Sequence, residues 1–250
     1  LSGSALISTS RVQVEILQNQ LGYDVPLIVE PERRDTFPAI TLTSSYLYSV
    51  EGVPLDEIIV VLPVDPYVDD SYFHTIKKLE RVLEVSKANL ALMGVRPSFP
   101  SEKYGYIVPS SSSNDQEYMP VSHFTEKPTQ VQAEELIQQQ ALWNCGVFAF
   151  RLRYLIEEMT SRGYPIQYDE LRKLYGTLPK KSFDYEVVER AEQIVVVPYE
   201  GSWKDIGTWS TLTEEMKAPI LGKGLMNETS QNTHIINELD IPVTVLGISN

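Results

Sequence analysis

Residues 57–66 read EIIVVLPVDP, a short apolar run rich in β-branched residues that passes straight into Asp65 and Pro66. Such a run, apolar without alternation, is the pattern of a strand buried on both faces of a sheet. Ligands of open parallel sheets gather at the carboxyl ends of the strands, so Asp65 stands at the lip where one would bind. Two readings share this residue: a loop aspartate opening a turn before Pro66, or a carboxylate that meets a ligand.

Working outward, the same kind of run recurs as ALIST (5–9), PLIVE (26–30) and LALMGV (90–95). Between them lie RVQVEILQNQLG, with Gly22 as its C-cap, then TFPAITLTSSYLYSV, then DDSYFHTIKKLERVLEVSKAN, which opens with acids suited to a helix N-terminus. Strand and helix alternating in this way predict an α/β, Rossmann-like sheet, mixed but mostly parallel, with helices on both faces. The second half is less regular. YGYIVPS and MPVSHFTEKP read as strands around a Ser/Asn-rich tip at 110–116, and TQVQAEELIQQQ reads as a helix. CGVFAFRL is a strand running into the helix LRYLIEEMT, FDYEVVERAEQ is a helix, and IVVVPYE is a strand. After Met216 the helical period disappears. The sequence therefore divides into a main domain, 1–215, and a small β-rich segment, 216–250, the latter a candidate surface for self-association.

The chain has 250 residues, 42% of them hydrophobic, enough for one large core with an appendage. A formal charge of −13 repels nucleic acid and anionic membrane surfaces, so a phosphate-bearing ligand needs a metal or a local basic group. The single cysteine, Cys145, excludes an internal disulfide and a cysteine-type zinc site, and suits a reducing compartment. His74, His123 and His234 lack metal-site spacing. No run is long and apolar enough for a membrane span, and the first residues lack a signal-peptide pattern. A cytoplasmic protein is expected.

Several polar residues cluster at predicted strand ends. PLIVE exits into PERRDTFPAI, where Asp35 or Thr36 can cap the following helix, while Arg34 carries a positive charge to a helix N-terminus, unfavourable unless an anion is present. In FTEKP, Glu126 and Lys127 are neighbours on a strand and should face opposite ways rather than pair, but could reach different parts of one ligand if the strand turns there. Gly105, between two tyrosines, leaves room for a close approach to backbone. Asn144 precedes a buried strand and reads as a turn residue or a hydroxyl binder. Finally, GSWKDIGTW (201–209) sets Asp205 between two tryptophans, where a carboxylate loses hydration unless it caps a helix or meets a cation.

Taken in order, EPERRDTFPAI, VLPVDPYV, KYGYI, FTEKP, WNCGVFAF, FDYEVVE and GSWKDIGTW resemble the successive motifs of the sugar nucleotidyltransferases, nearest to the mannose-1-phosphate guanylyltransferase branch, over roughly residues 4–215. The resemblance implies the nucleotide-diphospho-sugar transferase fold. It also implies transfer of a nucleoside monophosphate, GMP from GTP in that branch, to a hexose 1-phosphate such as mannose 1-phosphate, with release of pyrophosphate. On the matching positions, Asp65 and Asp205 would hold Mg²⁺, with Trp203 and Trp209 as walls around Asp205, and Lys127 would contact the sugar phosphate. Gly105, Glu126 and Asn144 would take the sugar, and Glu30, Arg34, Asp35, Thr36 and Pro63 would lie against the nucleotide.

The sequence departs from the family where Pro66 and Tyr67 replace a common histidine and Cys145 a common serine. The glycine-rich GGxGxR loop is also missing. LSG resembles the strand before that loop and SALIST the strand after the first helix, so a crossover of roughly 30 residues or more is expected between Gly3 and Ser4, and a chain truly lacking the loop is expected to be inactive. Two other function classes fit parts of the pattern: an inactive nucleotidyltransferase-like binding module, and a metal-dependent glycosyltransferase using Asp65 with Asp69.

Overall fold

The computed structural model describes residues 5–110 and 117–249. The LSG strand, the Gly3–Ser4 junction, residues 111–116 of the tip and whatever would follow Asn250 lie outside the described residues. The chain forms two compact units, one of residues up to Pro63 with Val68–Ser202, the other of Val64–Tyr67 with the residues from Trp203 on.

In the first unit, β1 (Ile7–Ser10) leads through a 3-10 turn into α1 (Val14–Leu21). Gly22 ends this helix at φ +86°, its N–H donating to Gln18 O, as a glycine C-cap should. β2 (Leu27–Glu30) returns parallel to β1, with Ile7 opposite Leu27 and Ser10 opposite Glu30. Then follow α2 (Thr36–Ser49), β3 (Ile58–Val61) and, past β4 (Pro66–Val68), whose first two residues belong to the second unit, α3 (Asp70–Ser86). The remainder is β5 (Leu90–Val95), β6 (Tyr106–Pro109), β7 (Met119–Thr125), α4 (Gln130–Gln138), β8 (Leu142–Arg151), α5 (Leu152–Ser161), α6 (Tyr168–Lys173), α7 (Phe183–Glu186) and β9 (Ile194–Tyr199).

The main sheet has the order β3-β8-β5-β9-β7-β6, with β6 also reaching β8. Only β5 and β9 pair in parallel, and β8 runs antiparallel to both β3 and β5. The sheet is mixed as expected, but the expectation that it is mostly parallel is corrected, since the other pairings of the main sheet among the described residues are antiparallel; β1 with β2 forms a separate parallel pair. The reason is physical. LWNCGVFAFR is buried nearly throughout and so has the composition of a central parallel strand, but burial on both faces leaves no mark of direction.

Phe37, Leu90, Leu92, Phe148, Phe150, Phe183 and Val196 share one core cluster, with Phe183 ring-packed on Phe148 and Phe150 at 5.0 and 5.9 Å. That packing shortens the expected helix over 183–193. Val187, at φ −118°, breaks α7 after one turn, so that Val187 and Val188 both bury completely before a 3-10 turn at Val188–Arg190. Glu186, buried at the end of α7, is held by Arg162, Lys181 and Arg190 at 3.0, 3.2 and 3.4 Å. A carboxylate taken out of water requires such partners.

In the second unit, β4 pairs with β10 (Trp203–Asp205). α8 (Trp209–Glu215) is capped by Thr208, which accepts from Thr211 N. Four three-residue strands follow, β11 (Ile220–Gly222), β12 (Gly224–Met226), β13 (Ile235–Asn237) and β14 (Val243–Val245). β11 pairs in parallel with β13 and β12 with β14, and the Asn237 side-chain amide ties them by donating to Lys223 O and Ile241 O. The second unit thus combines the short stretch Val64–Tyr67 with the residues that follow Ser202.

Candidate functional site

The end of β2 and the start of α2 form one edge of the first unit. Glu30 accepts from the Tyr175 hydroxyl at 2.5 Å, and burial raises its pKa above the usual carboxylate range. Asp35 is the N-cap of α2 and accepts from Thr36 N at 2.8 Å. Its backbone, at φ +74° and ψ −178°, occupies a region almost reserved for glycine, a conformation that costs roughly 1–3 kcal/mol and collects at functional loops. The Thr36 hydroxyl accepts from Phe183 N at 2.8 Å, binding this edge to α7. Arg34 does not wait for an outside anion. Its Nε and Nη2 donate to Leu178 O at 3.0 and 2.9 Å, and Glu32 supplies the negative charge at 2.9 Å.

A second cluster joins β6, β7, β8 and α7. Asn144 N donates to Gly105 O at 2.8 Å, and its side chain is fixed at both ends, donating to Asp184 Oδ1 at 2.7 Å and accepting from Gly146 N at 3.1 Å. Gly146 sits at φ +72°, and a Cβ added there would reach the Pro63 ring at 3.6 Å. The space above Gly105 is already taken: a Cβ there would meet Glu126 Oε2 and Phe124 Cζ, each at 2.5 Å. The glycine therefore makes room for the protein's own carboxylate. The Glu126 side chain is only 7% exposed. Burial first, and then the nearby Asp184 carboxylate, raise its pKa, and burial raises that of Asp184.

Lys127 lies beside this cluster with half of its side chain exposed, and its Nζ stands 3.6 Å from Glu126 Oε1. The expectation that these neighbours would not pair is corrected. Strand β7 stops at Thr125 and Lys127 turns to φ +46°, which ends the alternation of faces. Cys145, between Asn144 and Gly146, is buried, and burial pushes its thiol far above the ordinary range.

The remaining acids belong to the second unit. Asp65 immediately precedes β4, and Asp205 closes β10, the strand that pairs with β4. Both are exposed, and neither makes a hydrogen bond or ion pair among the described residues. Asp65 is thus not held in the side-chain turn that would explain it away. The expected tryptophan wall is half absent: Trp209 is 71% exposed at the first position of α8, while Trp203 is half-buried. Two oxygen donors without protein partners fit Mg²⁺, which takes few carboxylates and fills its shell with phosphate and water. No group of three or more His, Cys, Asp or Glu suited to a metal occurs among the described residues. Asp69, by contrast, is committed. It caps α3 through Ser71 N and the Ser71 hydroxyl and accepts from Ser202 N at 2.8 Å, which together hold its pKa down at about 2. An Asp65–Asp69 metal pair of the glycosyltransferase kind finds no free second carboxylate there.

A sequence model of the nucleotidyl transferase family matches residues 8–219. The chain belongs to the nucleotidyl transferase family. Among curated nucleotidyl transferase relatives, it is 31% identical to the alginate biosynthesis protein AlgA of Pseudomonas putida, over 75% of this chain and 42% of AlgA. It is 27% identical to mannose-1-phosphate guanylyltransferase of Escherichia coli, over 94% of this chain and 55% of that protein. The chain thus spans about half the length of the curated relatives it matches. The crystal structure of mannose-1-phosphate geranyltransferase from Thermus thermophilus superposes with a TM-score of 0.74 at 28% identity, over 98% of this chain and 75% of that one. The nucleotide-diphospho-sugar transferase-like fold, helices around a mixed sheet, follows from this likeness. No helix among the described residues is long and apolar enough to cross a membrane.

Two residues of this nucleotidyl transferase chain gained no role from sequence reasoning although FDYEVVE was among the motifs noted: Asp184, which orients Asn144, and Glu189, whose Oε1 accepts from Glu126 N at 2.9 Å. Their only signal was membership of that motif.

Proposed function

We propose that the chain transfers GMP from GTP to mannose 1-phosphate, giving GDP-mannose and pyrophosphate. The observation that carries this reading is the cluster of Glu126, Asn144 and Asp184 around Gly105 with Lys127 beside it: buried and half-buried hydrogen-bonding groups suited to sugar hydroxyls next to a cation suited to a phosphate. A phosphate oxygen of the sugar phosphate forms a bond to the α-phosphorus of the nucleotide while the bond from that phosphorus to the bridging oxygen breaks, and the electron pair leaves with pyrophosphate. No proton has to move first, because a sugar phosphate is ionised at neutral pH. Lys127 offsets the charge of the incoming phosphate, and the Asn144–Asp184 pair holds the sugar in one orientation. The strained loop from Glu30 to Thr36, with Pro63, lies against the nucleotide. Bound at Asp65 and Asp205, Mg²⁺ would supply positive charge for the phosphate oxygens.

The test is pyrophosphate release in the presence of Mg²⁺, with four nucleoside triphosphates against several hexose 1-phosphates. GTP with mannose 1-phosphate should be the fastest pair. A different fastest pair would change the base or the sugar, and no release from any pair would favour an inactive binding module.

A further inference from the structure

We propose that Glu189 is a positioning residue: its carboxylate fixes the left-handed turn at Glu126–Lys127 and so aims the Lys127 ammonium at the phosphate of the sugar substrate. The turn needs holding. A non-glycine residue in the left-handed region costs roughly 1–2 kcal/mol, and Lys127 sits at φ +46°. Two hydrogen bonds secure it, Lys127 N to Tyr104 O at 3.2 Å and Glu126 N to Glu189 Oε1 at 2.9 Å. The second is the shorter of the two and reaches across from another segment of the chain, sixty-three residues on.

Charge balance does not explain the placement. Glu189 forms no ion pair among the described residues, and its negative charge raises the pKa of Glu126 beside it. What the carboxylate supplies at this point is an acceptor for a backbone N–H. Its own support is rigid, since it stands in the 3-10 turn after the buried Val187 and Val188, on the segment that also presents Phe183 N to Thr36 and Asp184 to Asn144. One short stretch thereby sets both edges of the site.

The aim at a sugar phosphate rests on the proposed role of Lys127, whereas the holding of the turn does not. Glu189→Ala should raise KM for mannose 1-phosphate roughly tenfold while leaving KM for GTP and the melting temperature close to wild type. Glu189→Gln keeps an acceptor oxygen and should recover most of the loss. Amide exchange at Glu126, followed by NMR, should quicken in Glu189→Ala and return toward wild type in Glu189→Gln. Unchanged exchange in Glu189→Ala would overturn the inference, as would equal rises in both KM values with Gln no better than Ala. If the wild type releases no pyrophosphate at all, the functional reading falls. Exchange then decides whether Glu189 holds the turn, and equal binding of mannose 1-phosphate by wild type and Glu189→Ala would overturn the aiming role.

Discussion

Glu126 and Asp184 in the first unit are shielded, tied to neighbours and pushed toward protonation, whereas Asp65 and Asp205 in the second are exposed and have no partner among the described residues. The contrast separates two ways of using a carboxylate. A shielded acid with a fixed partner presents a shaped pattern of donors and acceptors, good for recognising hydroxyls. An exposed, uncommitted acid keeps its oxygens open to solvent, and is ready to exchange water for a cation.

The largest expected effect follows from the exposed pair. Asp65→Ala or Asp205→Ala should lower kcat for Mg²⁺-dependent pyrophosphate release by at least about 100-fold, because metal charge stabilisation is worth several kcal/mol. The melting temperature should stay near wild type, since neither side chain holds anything in place. A large fall in melting temperature with activity intact would reverse the assignment.

Gly105→Ala should act in the opposite way. The new methyl group would press on Glu126 Oε2 and the Phe124 ring, so a destabilisation of about 1–3 kcal/mol in urea unfolding should accompany a raised KM for the sugar phosphate. Unaltered stability would mean that the space is not filled as described.

The last effect concerns pH and is spread over a range of it rather than set by one substitution. The folded-state pKa of Glu126 is raised above its ordinary value of 4.5, so the folded form binds a proton that the unfolded chain has released. Its contribution to stability is complete below that ordinary value and is lost as pH rises toward the raised one. For one proton the slope is at most about 1.4 kcal/mol per pH unit. Glu126→Gln should flatten this decline in urea melts taken from mildly acid to mildly alkaline pH, and an unchanged slope would assign the decline elsewhere.

The same contrast marks what was legible in the sequence. β5 falls at the expected 90–95, and α2 and α3 begin where Asp35 and Asp69 cap them, because periodicity and capping are local signals. Asp65 and Asp205 stood out on equally local grounds, the one as an acid at the end of an apolar run, the other as an acid between two tryptophans. The direction of β8 left no local trace. Neither did the pairing of Asn144 with Asp184, forty residues later, since tertiary packing of Phe183, Val187 and Val188 decides where α7 stops and hence where its carboxylate lies. Arg34 shows the limit from the other side. Its unfavourable position called for an anion, and the protein itself supplies one in Glu32.

Because Cys145 is the chain's single thiol and lies within β8 beside Asn144, it gives the protein a built-in chemical clock. A thiol-directed reagent can modify it only while that strand parts from its neighbours, so the labelling rate counts those openings. A bound ligand that grips Asn144 should slow the clock without any change to the covalent structure.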